Sequence, residues 1–283
     1  MGVAGFLPVD KPSGITSHDV VDRVRKLLPR RTKVGHTGTL DPLATGLLVL
    51  AVGKATKFSQ FLLKQDKCYT VEGELGLSSP TYDVDGEVVS VPCPPLSEEE
   101  LQSALSRFVG EIEQTPPPFS AVRIKGKRAY QLAREGKEFT LPKRRVTVYS
   151  LKLLSFSFPR FSLEVCCSSG TYIRSLVHDI GLALGTDAVV TSLRRTKVGN
   201  LSVESAVKLS ELNRENLFSY LLPVESLLPF PHLSLSDKEA EDFRHGRRFS
   251  VSAPDGTYSV CSSSGFLGVG EVVKGQLRPL RVM

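Results

Sequence analysis

Gly35-His36-Thr37-Gly38-Thr39-Leu40-Asp41-Pro42-Leu43-Ala44-Thr45-Gly46 runs without a break into Leu47-Leu48-Val49-Leu50-Ala51-Val52. The six apolar residues read as a buried strand. The twelve before them hold three glycines, three threonines, one histidine and a single carboxylate. A lone carboxylate in a Gly/Thr-rich loop against a buried strand is a reactive group on a rigid support, because glycine allows close backbone approaches that a side chain would block. Pro42 steers Asp41 away from the helical region. The competing reading is that Asp41 caps a short helix opening at Pro42. Spacing alone leaves both open.

Around this loop the composition is that of an ordinary globular protein. The chain has 283 residues, 41% hydrophobic and 23% charged, which suits one large domain and a small second one. No apolar run approaches the roughly 18–20 residues that span a bilayer, and the N-terminus lacks a signal-peptide pattern. A cytoplasmic protein is expected. Cys68, Cys93, Cys166, Cys167 and Cys261 are odd in number and contain no C-x-x-C pair, so reduced thiols, no disulfide framework and no structural metal are expected. Gly53-Lys54-Ala55-Thr56 is not a nucleotide loop, since no glycine stands five residues before Gly53.

The net charge of +6 is unevenly placed. Between Pro117 and Arg145 stand nine basic residues (Arg123, Lys125, Lys127, Arg128, Arg134, Lys137, Lys143, Arg144, Arg145) and two acidic ones (Glu135, Glu138). That segment is +7 and the remainder −1. A basic excess confined to one loop-rich stretch suits an arm that tracks phosphates, or else a solvated, flexible surface segment.

In chain order, Phe6–Gly14 reads as a short strand running into a Pro/Gly turn, and Thr16 or Ser17 caps a helix with Val20, Val21, Val24, Leu27 and Leu28 inward, stopped by Pro29. Residues 56–64 read as a helix with Phe58, Phe61 and Leu62 inward. Strands follow at Tyr69–Gly73 and Val88–Val89 around the turn Asp83–Gly86. A capping box at Ser97 and Glu100 opens a helix ending before Gly110. Pro116-Pro117-Pro118 roots the arm. Val146–Phe158 and Phe161–Cys167 form a hairpin, and Tyr172–Leu184 resumes a helical period with Arg174 and Asp179 off its apolar face. The proline-spaced stretch from Leu222 reads as a linker. Beyond it lie a capped helix, Ser236–His245, and three strand-like runs.

Lys11-Pro12-Ser13-Gly14-Ile15-Thr16-Ser17, the loop Gly35–Gly46, Lys67-Cys68-Tyr69, Thr81-Tyr82-Asp83-Val84-Asp85-Gly86, Gly170-Thr171-Tyr172-Ile173-Arg174-Ser175-Leu176 and Leu193-Arg194-Arg195 together resemble the TruB family of tRNA pseudouridine synthases. The resemblance spans nearly the whole chain. It implies an α+β fold with a central mixed, largely antiparallel sheet flanked by helices (residues 1–228, with a tRNA-clasping insertion at about 117–145) and a small β-rich PUA-like RNA-binding domain (229–283). The implied reaction is isomerisation of uridine 55 in the T loop of tRNA, by base flipping and an aspartate-dependent break and re-formation of the glycosidic bond.

The residue roles follow from the same resemblance. Asp41 matches the catalytic aspartate, Arg174 the arginine whose fixed charge keeps that carboxylate ionised, and Tyr69 the aromatic on which the flipped base stacks. Whether Asp41 attacks C6, attacks C1′ or abstracts the C2′ proton stays open. His36 would help prise the T loop open, or is a hydrogen-bonded structural histidine. Tyr172 and Leu193 would line the pocket, or are plain core. Lys11 would buttress the pocket from behind, and Asp83 would contact RNA, although an aspartate in such a turn is ordinarily a turn former. Arg123, Lys125, Lys127 and Arg128 would grip the backbone. The expected partner is tRNA, with no cofactor, no metal, no membrane and no obligate protein partner, the chain acting as a monomer. The reading from another class is a catalytically idle RNA-binding protein.

Overall fold

The computed structural model describes residues 3–283. Its elements in order begin with β1 Ala4–Lys11, α1 Ser17–Leu27, β2 Val34–His36, β3 Thr45–Gly53 and α2 Ser59–Leu63, the last preceded by a 3-10 turn Lys54–Phe58. Next come β4 Lys67–Leu75, β5 Leu77–Ser78, β6 Val89–Ser90, α3 Glu98–Ser106, β7 Gly110–Gln114, β8 Arg123–Ile124, β9 Lys127–Arg128 and α4 Ala129–Arg134. They are followed by β10 Arg144–Ser157, β11 Arg160–Cys167, α5 Ile173–Ala183, β12 Ala188–Val198, β13 Leu201–Ser202 and β14 Val207–Lys208. The chain closes with β15 His232–Ser234, α6 Asp237–Arg244, β16 Phe249–Ser250, β17 Gly256–Ser262, β18 Gly265–Val273 and β19 Gln276–Val282. The fold is α+β.

Two compact units divide it. The first takes the described residues up to Asp41, Leu47–Leu63 and everything from Gly199 on. Within it β1 lies between β14, parallel, and β3, while β2 runs antiparallel to β3. Leu47–Val52 are all buried, as a strand with both faces covered requires. Thr16 and Asp19 close a capping box at the start of α1, which buries Val20, Val21 and Val24. The C-terminal part of this unit is a five-stranded sheet, β15-β17-β18-β19-β16, whose core gathers Phe243 of α6 with Val260, Leu267, Val272 and Leu277.

The second unit comprises Pro42–Gly46 and Lys64–Val198. Its sheet is mixed and largely antiparallel: β12, β4, β11, β10 and β7 pair antiparallel in that order, and Thr45–Gly46 pair parallel with Arg194–Arg195. Gly46 sits at φ 105°, where a Cβ would lie 2.3 Å from the Arg195 carbonyl oxygen, so only glycine fits.

Several expectations are corrected. No helix opens at Pro42: residues 42–43 form a turn that leads straight into β3, so the capping role of Asp41 is removed. The stretch 56–64 begins as a 3-10 turn, with Phe58 and Leu62 buried and Phe61 half-buried. Cys68 and Cys166 are joined by a disulfide, leaving Cys93, Cys167 and Cys261 free. Counting cysteines missed this because the two face each other only after β4 and β11 pair, 98 residues apart in sequence. At the start of the proline-spaced stretch, Phe6 and Leu222 exchange two backbone hydrogen bonds (2.9 and 2.8 Å), and Val224 is buried. The basic arm has structure of its own. Lys125 and Gly126, both left-handed, turn β8 into β9, and α4 is tied back by Ala129 N–H to the Val122 carbonyl at 2.7 Å.

Candidate functional site

In the first unit the loop before Asp41 is pinned at both ends. Ser17 Oγ donates to the Leu40 carbonyl (3.0 Å) and accepts from Leu40 N–H (2.8 Å), while Thr37 bonds the Val49 carbonyl through its hydroxyl (2.9 Å) and its N–H (3.0 Å). A backbone tied to a helix start on one side and to a buried strand on the other cannot drift, which fixes where Asp41 stands. Asp41 is half-buried and His36 lies in β2. Lys11, at the end of β1, is fully buried and its ammonium donates to the Pro12 carbonyl at 2.8 Å. It stands inside the fold.

In the second unit the central group is Arg174, 5% exposed on the first turn of α5. One guanidinium nitrogen donates to the Thr81 carbonyl (2.9 Å), both terminal nitrogens donate to the Phe119 carbonyl (3.2 Å each), and Nε lies 3.9 Å from Asp83 Oδ2. Asp83 is 4% exposed, accepts from the Thr81 hydroxyl (2.6 Å) and Asp85 N–H (3.1 Å), and faces Arg174. Its carboxylate belongs to the arginine's setting. A buried guanidinium with this many fixed partners is held in one orientation.

The turn that receives Arg174 is itself braced. Tyr82 has φ 62°, a left-handed conformation uncommon for a bulky residue, and its ring stacks on His178 with centroids 3.9 Å apart and planes 7° apart. His178 lies one turn beyond Arg174 on α5, and its Nδ1 is 2.7 Å from Asp187 Oδ1. Burial, followed by the nearby Asp179 charge, pushes the Tyr82 phenol up, and burial likewise pushes the Asp179 carboxyl up. The helix thus grips residues 81–83 twice, by Arg174 and by His178.

Tyr69, 8% exposed, is on the inner face of β4, with Val165 of β11 and Arg195 of β12 as its register partners. Leu193 is buried on β12. Tyr172 precedes α5, and the Gln114 side-chain amide clamps it from both sides, accepting from Tyr172 N–H (2.7 Å) and donating to its carbonyl (3.0 Å). Arg144 lies over the Tyr172 ring at 5.5 Å. The structure therefore brings together Arg174 and Asp83, and places Tyr69 beside Arg195. In the arm Arg123, Lys125, Lys127 and Arg128 are all exposed; Lys127 and Lys137 flank Glu135 at 3.8 and 2.6 Å.

Sequence reasoning missed Gln114, Tyr82, His178 and the buried cations Lys67 and Arg195. Gln114 carries no signal in the sequence, since a glutamine before a proline run is unremarkable until its amide meets Tyr172. Tyr82 and Arg195 lie inside family motifs in which only their neighbours were assigned roles. Among the described residues, no group of three or more His, Cys, Asp or Glu could hold a metal ion, and no helix is long and apolar enough to cross a membrane.

Residues 25–173 match the model of the TruB family pseudouridylate synthase N-terminal domain. Residues 174–229 match the tRNA pseudouridylate synthase B C-terminal domain, and 231–283 the pseudouridine synthase II TruB C-terminal model. The chain is 46% identical over 288 residues to tRNA pseudouridine synthase B of Aquifex aeolicus (strain VF5), covering 99% of each. It is also 46% identical over 290 residues to the protein of the same name from Azoarcus sp. (strain BH72), covering 99% of this chain and 95% of the relative. A solved structure described as a Cbf5-Nop10-Gar1 complex superposes with a TM-score of 0.74 at 26% identity, over 99% of this chain and 84% of the other.

Proposed function

The chain belongs to the TruB family of pseudouridylate synthases, and from that premise we propose that it isomerises uridine 55 in the T loop of tRNA to pseudouridine. The target uridine is flipped out of its loop, its N1–C1′ bond is broken, and the base is turned and rejoined through C5. Atoms balance without an external reactant, so no redox cofactor is called for. Asp41 is the reacting carboxylate, whether towards C6, C1′ or the C2′ proton, and Arg174 is its cationic partner. Tyr69 stacks on the flipped base. His36 pries at the loop, Tyr172 and Leu193 wall the pocket, and Lys11 supports it. Asp83 orients Arg174. Residues 1–228 act as the catalytic part and 229–283 as a PUA-like RNA-binding part, in a monomer that works in the cytoplasm.

The observation that carries this reading is that Asp41 caps no helix, while the loop holding it is anchored by Ser17 to the start of α1 and by Thr37 to the buried strand β3. A capping aspartate would tolerate asparagine, which caps about as well. A reacting carboxylate would not. Tritium released from C5-labelled uridine in a tRNA transcript measures the reaction. Asp41→Asn should bind tRNA as the parent does and release no tritium under single-turnover conditions; pseudouridine at near parental rate from this variant would end the assignment. An inactive parent protein would leave an RNA-binding role as the better reading.

A further inference from the structure

Cys68 and Cys166 are each other's register partners on β4 and β11, with Cα atoms 4.1 Å apart and the sulfurs bonded. Both residues are half-buried, on the face of the sheet opposite Tyr69: along β4, Lys67, Tyr69 and Val71 are buried while Cys68, Thr70 and Glu72 are not. A bond on this face is within reach of a small thiol from solvent. On the other flank of Cys68 the register partner is the exposed Lys197. Nothing in the proposed reaction uses these two sulfurs.

We propose that Cys68 and Cys166 form a reversible redox-modification site that exchanges with low-molecular-weight thiols and disulfides and stiffens the strand carrying Tyr69. In the closing direction the thiolate of one cysteine attacks a sulfur of a small disulfide RSSR, forming a mixed disulfide and expelling RS⁻. The second cysteine's thiolate then attacks the protein sulfur of that mixed disulfide and expels the other RS⁻. Two protein thiols are oxidised by two electrons, one RSSR is reduced to two RSH, and the protons pass from cysteine to the departing thiols. The neighbouring Cys167 does not compete. It is buried, and burial pushes its thiol up to about 11, so it supplies almost no thiolate near neutral pH. Closing a loop of this length removes freedom from the unfolded chain, and the oxidised form is therefore the more stable. Because β4 pairs with β12 on its other edge, fixing β4 to β11 also damps opening of the sheet around Tyr69.

The test uses the full chain equilibrated in buffers of varying reduced-to-oxidised glutathione ratio, quenched with acid, alkylated and peptide-mapped by mass. The expected result is an intramolecular Cys68–Cys166 bond that closes and opens within the glutathione range, with Cys93, Cys167 and Cys261 alkylated throughout. The oxidised protein should melt about 5 °C or more above the reduced one, and amides near Tyr69 should exchange more slowly. Cys68→Ser and Cys166→Ser should each abolish the redox dependence of both readouts. A bond to a different cysteine, thiols that stay reduced in oxidised glutathione, or a bond that no reduced glutathione opens would overturn the proposal. So would equal melting and equal exchange in the two states, a comparison that needs no variant.

Discussion

Lys67 shows how one residue couples the site strand to pH. It is 7% exposed, donates to the Gln65 carbonyl at 2.6 Å, and burial, reinforced by the Arg195 charge, lowers its ammonium from 10.5 to about 8. The folded state therefore binds fewer protons than the unfolded state between those two values. Stability from this group must rise with pH across that window, by up to about 3 kcal/mol, and stay constant below about 8. Cys167, raised from 9.0 to about 11, acts in the opposite sense over its own window, because there the unfolded chain is the one that loses the proton. Denaturant unfolding of the parent and of Lys67→Met across pH separates the two. The parent should gain on the variant as pH rises above about 8, and parallel curves would sink the argument. A second residue-scale outcome concerns the stack under Arg174. His178→Ala removes the partner that holds Tyr82 left-handed, so turnover should fall while tRNA affinity stays near parental; His178→Phe, which keeps a ring there, should restore much of the rate. Equal loss in both variants would show that stacking is not what matters. Lys67 and Arg195 were legible as motif members, but their burial was not, since nothing in a run of charges says which one a sheet will cover.

At the scale of elements, the arm was legible as charge and illegible as shape. Nine cations against two anions mark the segment. The β8–β9 hairpin was hidden because its turn is Lys125-Gly126, not an Asn-Gly or Asp-Gly pair, and because two-residue strands leave no alternation to read. Four exposed cations, Arg123, Lys125, Lys127 and Arg128, stand on that hairpin. Neutralising Arg123, Lys125, Lys127 and Arg128 together should weaken tRNA binding and flatten its logarithmic salt slope by about 0.7–0.9 for each phosphate that is no longer neutralised. An unchanged slope would take the arm out of the interface. The apolar period of α5 is plain in the sequence, yet Arg174 off that face is as buried as its neighbours, because residues 81–83 and Phe119 cover it from another direction. Helical periodicity reports one covered face and is silent about a second.

For the molecule as a whole, β3 as a buried strand, the β10–β11 hairpin and the capped helices α1, α3 and α6 could be read from periodicity and caps, while the α+β class came from the family resemblance. What could not be read was how tightly the C-terminal segment joins the rest of its unit, because prolines that look like a tether are also compatible with chain laid against a strand. Phe58, fully buried, meets Phe266 of β18 at 5.5 Å; Phe61 meets Phe230 edge-on at 5.2 Å; and Lys57 donates to the Val282 carbonyl at 3.0 Å. Cutting after Leu228 would strip both aromatic partners and leave Phe58 facing water. Burying a phenylalanine contributes about 1.5–3 kcal/mol, and each aromatic pair adds about 0.5–1.5. Residues 1–228 should therefore fold with a melting temperature several degrees below that of the full chain, bind tRNA more weakly, and still isomerise it. Phe266→Ala in the full chain isolates the packing share, since it removes the Phe58 partner and no basic residue: its melting temperature should fall and its tRNA affinity hold. Calorimetry and tRNA titration on the two proteins decide between a docked module and a tether, and a truncated chain that melts with the parent would show that these aromatic contacts contribute nothing to the fold.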